Sequence, residues 1–211
     1  MLRRRLLFSF SAPARKRIAG RGSGGVASIA VSLSGAAAGD FMLIAVSGFS
    51  VTPSIAGGDG GWIWVDPTSP SVSLGYFKKL LTSGDISAGS VTVSVASGSI
   101  FAFWVAYKAG GPTAAAFKTK AANTSGGTTL TLPAFSRAPN SGSVVLILME
   151  AGAAGGITPA ANWNADLTCL GGTNGGGFYS LDADNYNDGT VTFTGFGNTG
   201  DQYGYLVELT G

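Results

Sequence analysis

The densest run of side chains able to do chemistry is Asp182-Ala183-Asp184-Asn185-Tyr186-Asn187-Asp188-Gly189. Clustered carboxylate and amide oxygens suit a hard cation such as calcium. The EF-hand spacing is missing, because Asn187 stands where that loop needs glycine, Tyr186 replaces the third ligand and Phe193 replaces the closing glutamate. An irregular calcium loop of a β protein follows no fixed spacing and stays open on these residues alone. A glycosidase would need two carboxylates opposed across a sugar. Asp182 and Asp184 are instead neighbours in a stretch that Asn185, Asn187, Asp188 and Gly189 mark as a turn, so the expectation is a solvated acidic loop. The chain contains no histidine, which removes the commonest general base, the commonest metal ligand and the usual partner of a Ser or Cys nucleophile. No catalytic residue, metal ligand or cofactor is assigned, and the protein is expected not to be an enzyme.

The remaining motifs are weaker. Gly20-Arg21-Gly22-Ser23-Gly24-Gly25 has the form GxGxxG, but a phosphate-cradling loop follows a strand and opens a helix. Here a charged stretch precedes it and the strand-like Val26 to Leu33 follows, so it reads as a joint. Asn123-Thr124-Ser125 is a glycosylation sequon and is read as part of a linker. The single Cys169 excludes an internal disulfide framework. Trp62 and Trp64 flank a Gly-rich loop and are the candidate ligand platform, on which sugar rings could stack. Alternation in Trp62-Ile63-Trp64-Val65 puts both rings on one face, where protein can equally well cover them.

The elements that must position these residues occur twice. Gly39-Asp40 opens the apolar strand Phe41 to Val46, and Gly142-Ser143 opens Val144 to Met149. Thr52-Pro53 and Trp62 match Thr158-Pro159 and Trp163, and the alternating Val91 to Val95 matches Val191 to Thr194. Ala102 to Tyr107 before Gly110 corresponds to Tyr203 to Val207 before Gly211. A period near one hundred residues exceeds a solenoid unit and equals a small β-sandwich.

Composition agrees with an all-β chain. Of the 211 residues 45% are apolar, enough for a sizeable core, and the 34 glycines fall between short apolar runs as turn punctuation. Runs of four to seven residues rich in Val, Ile, Phe, Tyr and Thr recur, while long helical periodicity is absent. No apolar run approaches the roughly 18 residues of a membrane-spanning helix, so no membrane is expected among the partners. The expected fold is all-β: two tandem-repeat β-sandwich units of jelly-roll type, separate or merged into one body, behind a basic extended N-terminal arm. The boundaries read 1–28 for arm and Gly-rich joint, 29–110 for repeat 1, 111–127 for a linker and 128–211 for repeat 2.

Charge is segregated along this organisation. Arg3, Arg4, Arg5, Arg15, Lys16, Arg17 and Arg21 all precede the first acid, Asp40. Beyond Arg137 there is no cation, while Glu150, Asp166, Asp182, Asp184, Asp188, Asp201 and Glu208 make the second repeat anionic. Leu6-Leu7-Phe8-Ser9-Phe10-Ser11-Ala12 barely qualifies as a secretory apolar region, and Arg15-Lys16-Arg17 follows at once, so a targeting reading is weak. Nucleic acid is disfavoured, because Phe8 and Phe10 are the only aromatics available for stacking on bases. The arm is expected to dock on an acidic protein surface. Arg3, Arg4, Arg5, Leu6, Leu7, Phe8, Phe10, Arg15, Lys16 and Arg17 form the expected assembly contact, leaving their own body for a neighbouring protein.

The Gly-Asp strand opening, the Thr-Pro and Gly-Trp of the following loop and the terminal strand ending in a small residue and Gly resemble a family of tandem-repeat β proteins. These are encoded in the structural gene clusters of tailed phages and described as virion-associated, head-decoration or head and tail fibre proteins. The resemblance spans residues 29–211 and departs from the family where Pro-x-Gly-Trp is common: Thr52-Pro53 stands far from Gly61-Trp62, and the second copy has Ala161-Asn162-Trp163. It implies a non-enzymatic capsid decoration or fibre-like protein located in the virion, with other virion proteins of capsid or tail and copies of itself as partners. A homo-oligomer follows, with a trimer among the states it allows. The alternative is a carbohydrate-binding module of a tail fibre or adhesin.

Overall fold

The computed structural model describes residues 16–22, 25–49, 51–65, 74–123, 127–134, 139, 144–151, 154–158, 163–169, 175–182, 186, 189–196 and 202–211. They are predominantly β-strand, arranged in several antiparallel sheets. The first half runs β1 (Lys16–Arg21), β2 (Ser28–Ser32), β3 (Phe41–Phe49), β4 (Ser54–Ala56), β5 (Ile63–Val65), β6 (Leu74–Leu80), a short helix α1 (Ser83–Ala88), β7 (Ser90–Ser94) and β8 (Gly98–Tyr107). The second runs β9 (Ala114–Asn123), β10 (Thr129–Leu132), β11 (Val144–Ala151), β12 (Ala154–Thr158), β13 (Asn164–Cys169), β14 (Gly175–Asp182), β15 (Val191–Phe196) and β16 (Gln202–Thr210).

Each half builds one five-stranded and one three-stranded sheet. The orders are β1-β8-β3-β6-β5 with β2-β7-β4, and β9-β16-β11-β14-β13 with β10-β15-β12. Adding eight to every strand number of the first pair gives the second pair. Register carries the match to single residues. Phe77, opposite Ile44, corresponds to Tyr179, opposite Ile147. Trp104, opposite Ile44, corresponds to Leu206, opposite Ile147. Trp62 and Trp163 each stand one residue before the strand that pairs with β6 or β14, so they occupy the same place. The Thr-Pro landmarks do not: Thr158 pairs with Thr194 as Ser54 pairs with Ser94, whereas Thr52-Pro53 lies before β4.

The four sheets form four layers with three cores between them. In β3, Phe41, Leu43 and Ala45 point to a central core, while Met42, Ile44 and Val46 point to an outer one. The run is apolar throughout because both faces of its sheet are covered. β2 and β7 alternate, with Ile29, Val31, Val91 and Val93 inward, because water covers their other face. The second half repeats this, with Leu130, Leu132, Val191 and Phe193 in its own outer core. The central core draws Phe101, Phe103, Val105 and Tyr107 from the first half and Phe178, Tyr203, Tyr205 and Val207 from the second. Gly48, at φ 83, sits where the β3–β8 register shifts, and a Cβ there would lie 3.1 Å from the Ser99 carbonyl oxygen. A bulge of this hand needs glycine.

The inner sheets stack with their strand orders opposed. β8 meets β14 through Phe103 and Phe178, whose rings lie 5.1 Å apart. β6 meets β16, the Tyr205 hydroxyl donating to the Leu74 carbonyl, and β9, with Lys78 Nζ 2.7 Å from the Ala115 oxygen. The contact of β8 with β14 is the pseudo-twofold mate of the contact of β16 with β6. The halves therefore present equivalent faces to each other, as subunits of an isologous dimer do.

Two sequence boundaries are corrected here. Residues 111–127 are not only a linker, because β9 occupies 114–123 and pairs with β16 along its length. Residues 16–21 are not a free arm, because β1 pairs with β8 of its own chain, and Gly22 N–H continues this with a bond to the Ala102 carbonyl. Both corrections have one cause. The inner edges of β8 and β16 carry backbone N–H and C=O groups that need partners, and any locally extended segment supplies them regardless of its side chains. The repeat unit therefore begins at β1 and at β9.

Tyr76 tests the equivalence. Its side chain is fully buried in the central core, and its hydroxyl has no hydrogen-bond partner. Burial raises its pKa well beyond the ordinary tyrosine value. The equivalent residue, opposite Leu148 as Tyr76 is opposite Ala45, is Phe178. Tyr76→Phe is expected to leave stability unchanged or raise it by up to about 1 kcal/mol, since it removes an unsatisfied group at constant shape. A loss above about 1 kcal/mol in urea titration would show that the hydroxyl has a partner.

Candidate functional site

Trp62, Trp64 and the polar groups beneath them lie at the β5 edge of the first inner sheet. Both rings lie on one side, partly buried against the first outer core. Trp64 packs 4.7 Å from Phe77 and covers Gly75, where a Cβ would lie 2.5 Å from the indole. The backbone of β6 is glycine there so that the ring can approach it closely. Trp62 lies beneath Lys79, whose ammonium is 5.8 Å from the ring centroid.

Lys79 leads into a closed polar cluster. Its Nζ lies 2.7 Å from both Asp85 carboxylate oxygens, with side-chain exposures of 7% and 0%. Asp85 belongs to the first turn of α1, and Thr82 caps that helix in a reciprocal capping box. Thr82 N–H donates to Asp85 Oδ2 at 2.9 Å and Asp59 N–H to Oδ1 at 3.2 Å. Thr82 Oγ1 lies 2.5 Å from Asp59 Oδ2 and 2.9 Å from Asp85 Oδ2, sharing one proton between them. Burial pushes the Asp85 carboxyl up, but the Lys79 ammonium and the Thr82 and Asp59 donors outweigh it and hold it below the ordinary carboxylate value. Such a cluster fixes the loop from Gly57 to Gly61 against the helix. Every oxygen of Asp85 is engaged, so it offers neither a general base nor an open ligand position.

Two further carboxylates hold the β1 edge. Asp40, fully buried, accepts from Ala37 N–H at 2.8 Å and Ala109 N–H at 2.9 Å, and its Oδ2 lies 2.5 Å from Arg17 Nε. Asp166 of β13 accepts from the Tyr107 hydroxyl at 2.7 Å, and its backbone oxygen accepts from Lys16 Nζ at 2.5 Å. This ties β8 and β1 to the second half. Burial pushes the Asp166 carboxyl up, more than the Tyr107 and Ser180 hydrogen bonds and the Lys16 charge pull it down. Burial, together with the Asp166 charge, also pushes Tyr107 far up.

The Asp166 shift has a measurable sign. A carboxyl with a raised native pKa favours the folded state most in acid and loses that contribution as pH rises through the native value. Asp166→Asn keeps a hydrogen-bond acceptor without the titration. Its stability relative to the unmodified protein should improve from about pH 3 to about pH 7 in denaturant titrations. A difference that is flat, or that runs the other way, would place Asp166 in water.

Of the expected assembly contact, Lys16 and Arg17 lie within the described residues, and both are engaged on their own chain. This corrects their assignment to a neighbouring protein: Arg17 is where the buried Asp40 finds its countercharge. Arg3, Arg4, Arg5, Leu6, Leu7, Phe8, Phe10 and Arg15 lie outside the described residues, as do Asp184 and Asp188 of the acidic run. Among the described residues no group of three or more His, Cys, Asp or Glu side chains could hold a metal, and no helix is long and apolar enough to cross a membrane. The sequence reading missed Lys79, Asp85, Tyr107 and Asp166. A lysine pair inside the apolar Leu74 to Leu81 run and the Thr82-x-x-Asp85 spacing were the available signals. Compared with protein-family models, curated proteins and solved structures, the chain matches none.

Proposed function

We propose that this chain is a non-enzymatic structural protein of a phage virion, of capsid-decoration or fibre-like type, built from two β-sandwich units of jelly-roll kind merged back to back. The observation that carries the reading is the duplication itself. The sixteen described strands repeat one order twice around a shared core, and Asp85, Asp40 and Asp166 are spent on holding loops and edges together. That is the design of a rigid body presented to its surroundings. Its partners in this reading are other virion proteins and copies of itself, and residues 1–15, with four arginines, are the docking segment. The packing of Trp64 on Phe77 and of Trp62 under Lys79 favours this over the glycan-binding alternative.

The test is deletion of residues 1–15, which leaves β1 and the Arg17–Asp40 pair in place. The expected result is a folded body, with unchanged circular dichroism, whose occupancy in purified particles falls at least tenfold. Failure to find the full-length chain in particles by mass spectrometry would remove the virion reading. Normal incorporation of the truncated chain would remove the docking role of the segment.

A further inference from the structure

Polar contacts close a circuit at the place where residues 1–15 join the body. Arg17 Nε lies 2.5 Å from Asp40 Oδ2, and the other Asp40 oxygen accepts from Ala109 N–H at 2.9 Å, in the stretch that leads from β8 to β9. Two residues earlier, the Tyr107 hydroxyl donates to Asp166 of the second half at 2.7 Å. The backbone oxygen of Asp166 accepts from Lys16 Nζ at 2.5 Å, and Lys16 is the neighbour of Arg17, which closes the path. The β1–β8 register skips Arg17 and the β13–β14 register skips Asp166, so each is the extra residue of a bulge. A bulge re-aims the side chain it carries.

The fold does not require this circuit. Packing of the halves about a pseudo-twofold creates a second, equivalent junction, where β9 stands for β1 and β5 for β13. There Leu209 takes the place of Tyr107, and Ser143 that of Asp40. β9 runs directly from Ala115 to Ala116 where β1 inserts Arg17, and β5 runs directly from Trp64 to Val65 where β13 inserts Asp166. That junction is held instead by Lys78 on the Ala115 carbonyl. A buried ion pair is weak evidence for added stability, so the informative property of the Arg17–Asp40 pair is its placement: only the junction that receives the start of the chain carries it.

We propose that this circuit is a latch that couples the start of the chain to the packing of the two halves. Drawing β1 off β8 takes Arg17 from Asp40 and Lys16 from Asp166 in one step, which loosens the connecting stretch at Ala109 and the β13 edge together. β1 is suited to leave, being six residues long with none of them fully buried. Such coupling is reciprocal, so loosening the halves also weakens β1. A partner that captures residues 1–15 therefore acts on the junction. That last consequence rests on the docking reading; the latch itself does not.

Amide hydrogen exchange on the full chain tests the latch from both ends. Arg17→Ala breaks a contact within the first half, yet it should speed exchange of the β13 amides in the second half by about tenfold, along with that of Ala109. Tyr107→Phe keeps the aromatic ring and removes the bond to the second half, and it should speed exchange at Ala109 and in β1 by a comparable factor. Amides of β5 and β9, at the other junction, should be unchanged in both variants. Unaltered β13 protection in Arg17→Ala, or unaltered Ala109 protection in Tyr107→Phe, would overturn the latch. A rise shared equally by β5 and β9 would do the same, because it reports lost global stability. Should Arg17→Ala fail to fold, Tyr107→Phe decides alone. Docking is read separately, from the particle occupancy of the chain lacking residues 1–15, so a latch without docking and docking without a latch are distinct results.

Discussion

Replacing Lys79 with alanine is expected to lower the unfolding free energy by about 3 to 5 kcal/mol, the range for a buried ion pair that loses one partner. The side chains of Lys79 and Asp85 are 7% and 0% exposed, so water cannot take over the freed charge. Asp85 would retain its backbone and hydroxyl donors from Thr82 and Asp59 without its countercharge. Lys78→Ala, by contrast, removes a partly buried donor to a carbonyl and should cost about 1 kcal/mol. The difference has a pH signature. A carboxyl held below its ordinary value stabilises the fold fully above that ordinary value and loses its contribution as pH falls through the lowered one. The gap between Lys79→Ala and the unmodified protein should therefore be widest near neutrality and close in acid. A gap under about 1 kcal/mol at neutral pH, or one indifferent to pH, would mean that the cluster is open to solvent.

Phe103→Ala is expected to cost about 3 to 5 kcal/mol and to loosen both halves at once. Phe103 is fully buried in the central core, edge-on to Phe178 of the other half. Because fifteen of the described buried residues, from both halves, share that core, neither inner sheet is covered on both faces without the other. The chain should unfold in one transition, with the amide protection of β14 and β16 in the second half lost at the same denaturant concentration as that of β3 and β8 in the first. Two separated transitions would show that the halves are independently stable and that the central core merely joins them.

Alternation placed Trp62 and Trp64 on one side correctly, because the period of a strand is a local property. The Lys79–Asp85 cluster escaped it, since its donors come from the loop at Asp59, the helix cap at Thr82 and strand β6. Only the fold brings those three segments within 3.2 Å of one carboxylate.

The sequence by itself determined the β class, the twofold repetition and the equivalence of Trp62 with Trp163, because residue type and order survive duplication. It also distinguished the continuous run Phe41 to Val46 from the alternating Val91 to Val95, which is the difference between a strand covered on both faces and one covered on a single face. What covers the second face only the tertiary structure decided: the other half of the same chain, packed through an equivalent face. It also decided that Lys16–Arg21 and Ala114–Asn123 are edge strands. Edge pairing is made by backbone groups common to every residue, so these two segments, KRIAGR and AAAFKTKAAN, carry almost no signature of the place they share.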